Sequence, residues 1–296
     1  MFDASLDQLR ALDALARTGT YAKAARTLNK THSAVVYALR NLETQTGLPL
    51  LDRSGYRTEL TPAGERVLEQ SRRVLEAHRA LGELCEVVRT GWEPRLSVVF
   101  DGIYPSADIL RHLRHAIGKR SPTRVEVHAE FLSGVEATFL RSNADLMISV
   151  LPPSSPRLVL HPLAPLTVEL LAHKDHPLGR AARVTDEELE QHVLLTVRGS
   201  DPRLALPTAR IEPRSTVHLN DFHSKREAIL DGMGYGWLPR YLARADLRRG
   251  ALRRVRWVQG NTYALAPHVA HLKGRALGRA GASLVRGLVG RTEPAS

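Results

Sequence analysis

The sequence predicts an α/β protein with a small helical N-terminal domain, a long helix and a larger C-terminal domain. At 296 residues, with 43% hydrophobic and 25% charged residues, the chain is long enough for two domains and has a globular composition. Apolar residues recur at helical spacing through most of the first 90 residues. From residue 95 onward, strand-like segments alternate with helix-like ones, which indicates parallel β-structure.

Residues 20–43 predict two helices set at an angle, with Thr20 and Thr31 placed to cap their N-termini. The first helix has a small apolar face formed by Ala22, Ala24, Ala25 and Leu28. In the second helix the inward-facing residues are Ala34, Val35, Ala38, Leu39 and Leu42. Its outward face is a mixture suited to base edges and phosphates: His32, Ser33, Val36, Tyr37, Arg40 and Asn41. The pattern is that of a helix-turn-helix whose second helix enters the DNA major groove.

Residues 48–61 predict two short strands around the turn Ser54-Gly55, which is the shape of a β-wing. Arg53 and Arg57 stand beside its tip, where a cation can reach a phosphate or a narrow minor groove. Thr61-Pro62 then starts a helix with a hydroxyl cap and proline at the first helical position. The alternative, a three-helix interaction module, is less favoured because the wing and the following helix agree with DNA binding.

A single long helix is predicted from Pro62 to about Val88. Apolar residues repeat every seven positions along it, at Val67, Val74, Leu81 and Val88. Such a seam, flanked by charged residues, suits packing against a second helix and therefore self-association. The alternative is that the helix packs on its own domain. The lone Cys85 of this helix excludes an internal disulfide, and we expect it to be a structural thiol rather than a redox sensor.

The segment from Leu6 to about Val88 resembles the LysR-type transcriptional regulators. The resemblance is carried by Leu9-Arg-Ala-Leu12, Gly19–Ala25, Asn41-Leu-Glu43, Gly47–Arg53 and Leu60–Gly64, in this order and spacing. It implies a homodimer or homotetramer that binds double-stranded promoter DNA, with RNA polymerase as a further partner. Where many members carry glutamine, proline or serine, and arginine or histidine, this chain has His32, Ser33 and Tyr37, so its base preference stays open.

Strands are predicted at 95–100, 125–131 and 144–150, with helices at 107–117 and 133–142 between them. Later strands are predicted at 168–172, 192–197 and 263–266, and later helices at 222–231 and 277–288. The run Gly232–Pro239 is similar to a signature of the same family. The resemblance therefore implies a two-lobed, periplasmic-binding-protein-like effector domain. The predicted domains are 1–61 (winged helix-turn-helix), 62–89 (linker helix) and 95–296 (effector domain), with lobe I about 95–165 and 267–296 and lobe II about 166–266.

Ligands of open α/β sheets bind beyond the carboxyl ends of the strands, and the family places its effector between the lobes at these edges. The candidate effector-binding residues are Asp101, Gly102, Tyr104, Ser106, Ser133, Gly134, Thr196, Arg198, Asp221, Phe222 and His223. Ser133, Gly134 and Arg198 favour a small organic acid. Asp101 and Asp221, if they line the cleft, favour an amino or hydroxyl group, so an amino-acid-like ligand stays open. Alternatively, Ser133 only caps its helix and Arg198 forms a surface ion pair.

The net charge of +11 fits a nucleic-acid partner, but the surplus is not in the helix-turn-helix. Residues 240–296 hold twelve arginines and lysines against two acidic residues. A solvated cationic face and an auxiliary DNA contact are both compatible with this distribution.

Other function classes are less well supported. The thirteen histidines show no His-x-x-x-His spacing, and no Cys-x-x-Cys, Gly-x-Ser-x-Gly or glycine-rich phosphate loop occurs. We therefore predict no catalytic residues, no metal site and no cofactor. The N-terminus lacks a secretory pattern and no segment has the ~20 apolar residues of a membrane helix, so we expect a cytoplasmic protein without a membrane partner. One alternative retains DNA binding but makes the C-terminal domain purely structural.

Overall fold

The computed structural model describes four ranges of the chain: 3–53, 58–118, 121–197 and 206–290. The chain forms two compact units, Met1–Cys85 and Glu86–Ser296. Each unit contains its own cluster of buried apolar side chains, as independently packed domains do. Within the four ranges, no helix combines the length and the apolar character needed to cross a lipid bilayer.

The N-terminal unit contains three short helices, two short strands and most of a long helix. Their bounds are α1 Leu6–Thr18, α2 Tyr21–Thr27, α3 His32–Thr46, β1 Leu51–Asp52, β2 Glu59–Leu60 and α4 Pro62–Thr90. β1 and β2 pair antiparallel, so the two strands predicted for the wing are present. The predicted turn Ser54-Gly55 and Arg57 lie outside the described residues.

Threonine hydroxyls begin both helices of the predicted helix-turn-helix. Thr20 accepts a hydrogen bond from the backbone N–H of Lys23 at 3.3 Å, and Thr31 accepts one from Ala34 at 3.2 Å. Each bond satisfies an N–H group that has no partner within the helix, and both predicted caps are confirmed. Between the helices Asn29 has a φ of 52°, a left-handed conformation that asparagine tolerates better than most residues.

The inward face of α3 is the centre of this domain's core. Val35, Leu39 and Leu42 are buried together with Leu12 of α1, and burying each such side chain contributes about 1.5–3 kcal/mol. The start of α4 passes so close to the Leu50 carbonyl oxygen that a Cβ at position 64 would collide with it, which explains the glycine there. The core therefore fixes α3 against α1 and leaves its opposite face free.

The apolar seam of α4 divides into a buried and an exposed part. Leu68 is buried in the N-terminal core, so the alternative of packing on its own domain holds for the first turns. Farther along, four apolar side chains are 44–79% exposed: Val74, Leu81, Leu84 and Val88. Cys85 is exposed as well and lies on the same side of the helix as this stripe, and its expected structural role stays a prediction.

The C-terminal unit alternates strands and helices. In chain order the elements are β3 Arg95–Asp101, α5 Ser106–Ile117, β4 Arg124–Glu130, α6 Ser133–Ser142, β5 Leu146–Ser149, β6 Leu158–Pro162, β7 Leu166–His173, α7 Pro177–Arg180, α8 Asp186–Glu190, β8 Val193–Val197, β9 Ser215–Leu219, α9 Phe222–Leu230, β10 Tyr235–Pro239, α10 Arg240–Arg248, β11 Leu252–Arg254, β12 Thr262–Leu265, β13 His268–Leu272 and α11 Arg279–Val289.

These strands form two sheets. The first has the order β4-β3-β5-β13-β6, in which β3 runs parallel to β4 and β5 and β13 is antiparallel to both neighbours. The second has the order β11-β7-β10-β8-β9, with β8 parallel to β9 and β10, while β7 is antiparallel to β10 and also pairs with β12. The predicted parallel β-structure is therefore present in both sheets.

The chain passes between the two sheets twice, after β6 and again after β12. Where the crossings meet, the N–H of Leu163 donates to the carbonyl oxygen of Pro267 at 2.9 Å. Lobe I therefore contains residues from both ends of the domain, and the expected two-lobed α/β architecture is confirmed.

Residues 90–94, which lie between the predicted linker helix and the predicted effector domain, are a structured part of the second unit. Gly91 turns the chain at a φ of 78° after α4 ends. The carboxylate of Glu93, which is buried, accepts hydrogen bonds from the backbone N–H groups of Ala280 (3.2 Å) and Gly281 (2.6 Å). Glu93 thus caps the N-terminus of α11, where a negative charge is favourable.

Candidate nucleic-acid interface and ligand cavity

The predicted reading face of α3 is accessible in the N-terminal unit. His32, Ser33 and Arg40 are exposed, and Tyr37 is 68% exposed, which is unusual for so large an aromatic side chain. Val36 and Asn41 are half-buried at the margins of this face. The helix therefore presents donors, acceptors and an aromatic ring on one side, at its N-terminal half. Their contacts with bases remain a prediction.

Two contacts order the start of this face. The hydroxyl oxygens of Thr31 and Ser33 lie 3.1 Å apart and share a hydrogen bond. The ring of His32 packs edge-on against Tyr21 of α2, with the ring centroids 5.7 Å apart. The N-terminal turn of α3 is therefore positioned by side chains of its own domain before any DNA binds, which lowers the entropy cost of association.

Arg53, predicted to stand beside the wing tip, is paired within its own domain. Its Nη2 donates to Glu43 Oε2 at 2.7 Å and its Nε donates to the Tyr21 hydroxyl at 3.4 Å. The hydrogen bond with Glu43 raises the pKa of the Arg53 guanidinium, against a smaller opposing effect of burial. Its predicted phosphate contact is still compatible with its 42% exposure, but the side chain also holds the wing strand to α3 and α2.

A cavity of about 40 Å³ lies between the two lobes of the C-terminal unit. Its walls are mostly apolar and come from both lobes: Ile103, Leu132, Val168, Thr196, Val197, Leu206, Phe222, Lys225, Trp237 and Leu265. Of the predicted effector residues, Thr196 and Phe222 line it. The lobes touch at its rim, where Phe131 and Phe222 have ring centroids 6.3 Å apart and the Tyr241 hydroxyl donates to the Ile103 carbonyl at 3.3 Å.

Asp101 and Gly102 support the cavity from behind its wall. Asp101 is fully buried, and the N–H of Ile103 donates to its Oδ1 at 3.2 Å. Burial raises the pKa of Asp101 to about 7, although hydrogen bonds from the backbone of Ile103 and Leu132 oppose this. Both of these neighbours line the cavity. A Cβ at position 102 would collide with the Phe131 ring, so the glycine allows the inter-lobe contact.

The other predicted effector residues that the structure describes do not line the cavity. Tyr104 is buried in the core of lobe I, and Ser106 is exposed at the start of α5. Ser133 and Gly134 begin α6 directly after Leu132, which has the uncommon backbone conformation φ 48°, ψ −113°. Arg198 lies outside the described residues.

Asp221 has a structural role that argues against the ligand role considered for it. Its carboxylate caps α9 and accepts hydrogen bonds from the N–H groups of His223 and Ser224, both at 2.8 Å, and from the Ser224 hydroxyl at 2.7 Å. These bonds, those of Ser224 foremost, lower the pKa of Asp221. Three of the carboxylate's acceptor positions are used by its own helix in this way, and its contact with a ligand stays a prediction. His223 is exposed beside it.

Lys225 is the polar cavity residue that the sequence analysis missed. It lies one turn after Phe222 on α9, is only 4% exposed, and burial lowers the pKa of its ammonium to about 7. The available signal was positional, since Phe222, Lys225 and Ile229 share the buried stripe of the predicted helix. Across the described ranges, no three histidine, cysteine or acidic side chains are grouped so as to hold a metal ion.

Comparison with known proteins gives matches along nearly the whole chain. Residues 6–65 match the family model of bacterial regulatory helix-turn-helix proteins of the lysR family, and residues 89–291 match the LysR substrate binding domain. YeeY of Escherichia coli (strain K12), an uncharacterized HTH-type transcriptional regulator, is 31% identical over 251 residues, which cover 83% of this chain and 81% of YeeY.

Two solved structures show the same fold. ArgP from Mycobacterium tuberculosis has a TM-score of 0.68 at 20% identity, covering 97% of this chain and 98% of ArgP. Full-length CbnR in complex with its target DNA has a TM-score of 0.63 at 23% identity, covering 96% and 98% of the respective chains. Because the family models match both domains and more than half of the chain, this protein belongs to the LysR family of transcriptional regulators, which are not enzymes.

Proposed function

We propose that this chain binds double-stranded promoter DNA as a homodimer or homotetramer and that a small organic acid or amino-acid-like metabolite controls this binding. Recognition is assigned to α3 and the wing, self-association to the exposed seam of α4, and effector binding to the space between the lobes. The observation that carries the proposal is the exposed polar face of α3, held rigid by a core on its opposite side. CbnR, whose fold this chain shares, was solved with its target DNA.

The proposed regulation is a linkage between two binding equilibria. An effector shifts DNA binding only if it has different affinities for two arrangements of the protein. The inter-lobe contacts of Phe131 with Phe222 and of Tyr241 with Ile103 are the ones that ligand entry would alter. Contact with RNA polymerase at the promoter, in the cytoplasm, completes the proposed role.

Footprinting of the purified protein on the intergenic DNA upstream of its own gene tests the DNA-binding part. We expect protection of an interrupted inverted repeat whose half-sites are about one helical turn apart or a multiple of it, with affinity falling as salt rises. Equal, salt-insensitive binding to all fragments would contradict the proposal.

A second candidate retains DNA binding but gives the C-terminal domain no ligand. It is favoured by the small volume of the cavity, which at about 40 Å³ has room for roughly two or three water molecules. A thermal-shift screen with small organic acids and amino acids distinguishes the two, because a ligand that binds only the folded state raises the melting temperature. If no compound does so, the structural alternative is supported.

A further inference from the structure

The side chain of Lys225 runs between α9 and the second sheet and ends at the inter-lobe cavity. Its path passes over β10, where a Cβ at position 236 would come within 2.8 Å of Lys225 Cε and 3.3 Å of Nζ. Gly236 therefore makes the space that this side chain occupies. Lys225 fills the space that a side chain at position 236 would otherwise take. It is therefore part of the packed interior, unlike a solvated surface lysine.

The ammonium of Lys225 has no anionic partner among the residues that the structure describes. Its one described interaction is with the face of the Phe222 ring, whose centroid is 5.6 Å from Nζ. No other described residue of the cavity lining carries an ionisable group, and burial alone accounts for the lowered pKa of the lysine. An unpaired charge in such surroundings is unfavourable, so the site is electrostatically incomplete until an anion enters.

The other residues of the cavity lining restrict the chemistry of the ligand body that carries the anion. Around the lysine the lining is apolar, with Ile103 and Leu132 from lobe I facing Val168, Trp237 and Leu265 from lobe II. Among the described lining residues, the other polar side-chain groups are the hydroxyl of Thr196 and the indole N–H of Trp237, and the latter already donates to the Thr208 hydroxyl at 2.9 Å. A ligand with a second charge would leave that charge unpaired in this environment, whereas an apolar body gains from burial.

We propose that Lys225 Nζ binds the carboxylate of a small monocarboxylic acid whose apolar body packs against Ile103, Leu132 and Trp237. This inference rests on the proposed function, in which an effector occupies the space between the lobes, and the cavity of about 40 Å³ widens to admit it as the Phe131–Phe222 and Tyr241–Ile103 contacts are altered. It narrows the ligand from organic acids and amino acids to acids without an ammonium group. The two aspartates considered for an ammonium are engaged elsewhere, Asp101 behind the wall and Asp221 in the cap of α9.

Three probes with the same branched body test the assignment: isovalerate, isovaleramide and valine. Their binding to the full-length protein is followed by calorimetry and by tryptophan fluorescence, since Trp237 lines the cavity. We expect isovalerate to bind and to raise the melting temperature. Isovaleramide and valine should bind at least about tenfold more weakly, because the amide has no carboxylate and valine adds an ammonium group that would be buried without a partner.

Two lysine variants separate the local effect from a general loss of charge. Lys225→Met keeps the length of the side chain, and we expect isovalerate affinity to fall by at least about tenfold while the protein melts at the same or a higher temperature. Lys174→Met removes an exposed lysine of the same lobe and should bind like the parent. Equal binding of acid and amide to the parent, or an unchanged isovalerate affinity of Lys225→Met, would overturn the proposal.

The pH dependence of isovalerate binding to the parent gives a readout that does not require a variant. The ionised carboxylate binds the protonated lysine, so affinity should be constant between roughly pH 5, below which the acid itself becomes protonated, and about pH 7, and fall by about tenfold per unit above it. A flat profile overturns the assignment, as does a failure of isovalerate to bind at all. Neither of these two results contradicts the proposed function if the protein still protects its upstream DNA in response to another metabolite. If it protects no upstream DNA, the proposed function itself is contradicted.

Discussion

The carboxylate of Glu43 on α3 holds the first strand of the wing through donors of three residues. Its Oε1 accepts the backbone N–H groups of Leu50 at 2.9 Å and Leu51 at 3.1 Å, and its Oε2 accepts Arg53 Nη2 at 2.7 Å. Partial burial opposes ionisation, but these bonds outweigh it and lower the pKa of Glu43. The helix α3 and the wing are therefore coupled through one side chain.

Replacing Glu43 with alanine should release the wing strand from α3. We expect a loss of about 1–3 kcal/mol in the free energy of local opening, because two buried backbone N–H groups lose their acceptor. Amide hydrogen exchange at Leu50 and Leu51 measures this directly. Because the folded pKa of Glu43 is lowered, its contribution is present above the unfolded value of 4.5 and is lost as the pH falls through the folded pKa.

The matched control is Glu69→Gln, which removes a carboxylate from a pair with Arg73 in which both side chains are more than 60% exposed. Such surface pairs contribute little, so we expect an effect within about 0.5 kcal/mol. Unchanged exchange protection in Glu43→Ala would show that the tether does not hold the wing.

Base recognition should depend on the exposed side chains of α3. Tyr37→Ala and Ser33→Ala should each weaken binding to the specific site by ~1–3 kcal/mol where a base contact is lost, with a smaller effect on nonspecific DNA. Gln45→Ala, on the same helix but one turn beyond Asn41, is the control and should bind like the parent. If both test variants give the parental footprint, the reading face has been assigned to the wrong side chains.

The exposed seam of α4 should hold two protomers together. Leu81 is 59% exposed, and Leu81→Glu should convert the oligomer to monomers in sedimentation velocity because a carboxylate would be buried in an apolar helix interface. Ala80→Glu adds the same charge about 100° around the helix and should leave the oligomer intact. A Leu81→Glu protein that sediments with the parent would exclude this seam as the interface.

Most of the fold was predictable because its long elements carry clear periodicity. The caps Thr20 and Thr31 and the helix α4 follow from local chemistry and were found. Short elements such as α7, with four residues, are too brief to show a period, and β9 is largely exposed and lacks an apolar run. β13, which pairs antiparallel with both β5 and β6 in lobe I, was missed because these partners are more than 100 residues earlier in the chain.

The cavity was predicted less well than the helix-turn-helix, for a physical reason. The cavity does border the carboxyl ends of strands, but a strand edge contains several residues and packing decides which of them line the cavity. Asp221 is used by its own helix, and Asp101 supports the wall from the protein interior. Lys225 lies within a helix rather than at its start, and its direction depends on Gly236, which is contributed by a different element.

Glu93 should be required for the stability of the C-terminal unit. Glu93→Ala leaves two buried N–H groups of α11 without an acceptor, so we expect a loss of about 1–3 kcal/mol in the free energy of unfolding. All three tryptophans of the chain, Trp92, Trp237 and Trp257, lie in this unit, so tryptophan fluorescence in urea reports on it specifically. Glu126→Gln, on the surface of β4, is the control, and equal midpoints for the two variants would refute the capping role.

Asp101 should limit the stability of the same unit at neutral and alkaline pH. Its folded pKa of about 7 lies above the ordinary 3.8, so ionisation opposes folding as the pH rises from the lower value to the higher, and the penalty is complete above about pH 7. Asp101→Asn removes the charge and keeps an acceptor for the Ile103 N–H. Since one pKa unit corresponds to about 1.4 kcal/mol, we expect the free energy of unfolding to rise by roughly 1–3 kcal/mol at pH 8. Urea unfolding followed by tryptophan fluorescence should show this gain shrinking as the pH falls toward about 5. A variant that is less stable than the parent at pH 8 would mean that the ionised carboxylate, through the backbone of Ile103 and Leu132, is needed to shape the cavity wall.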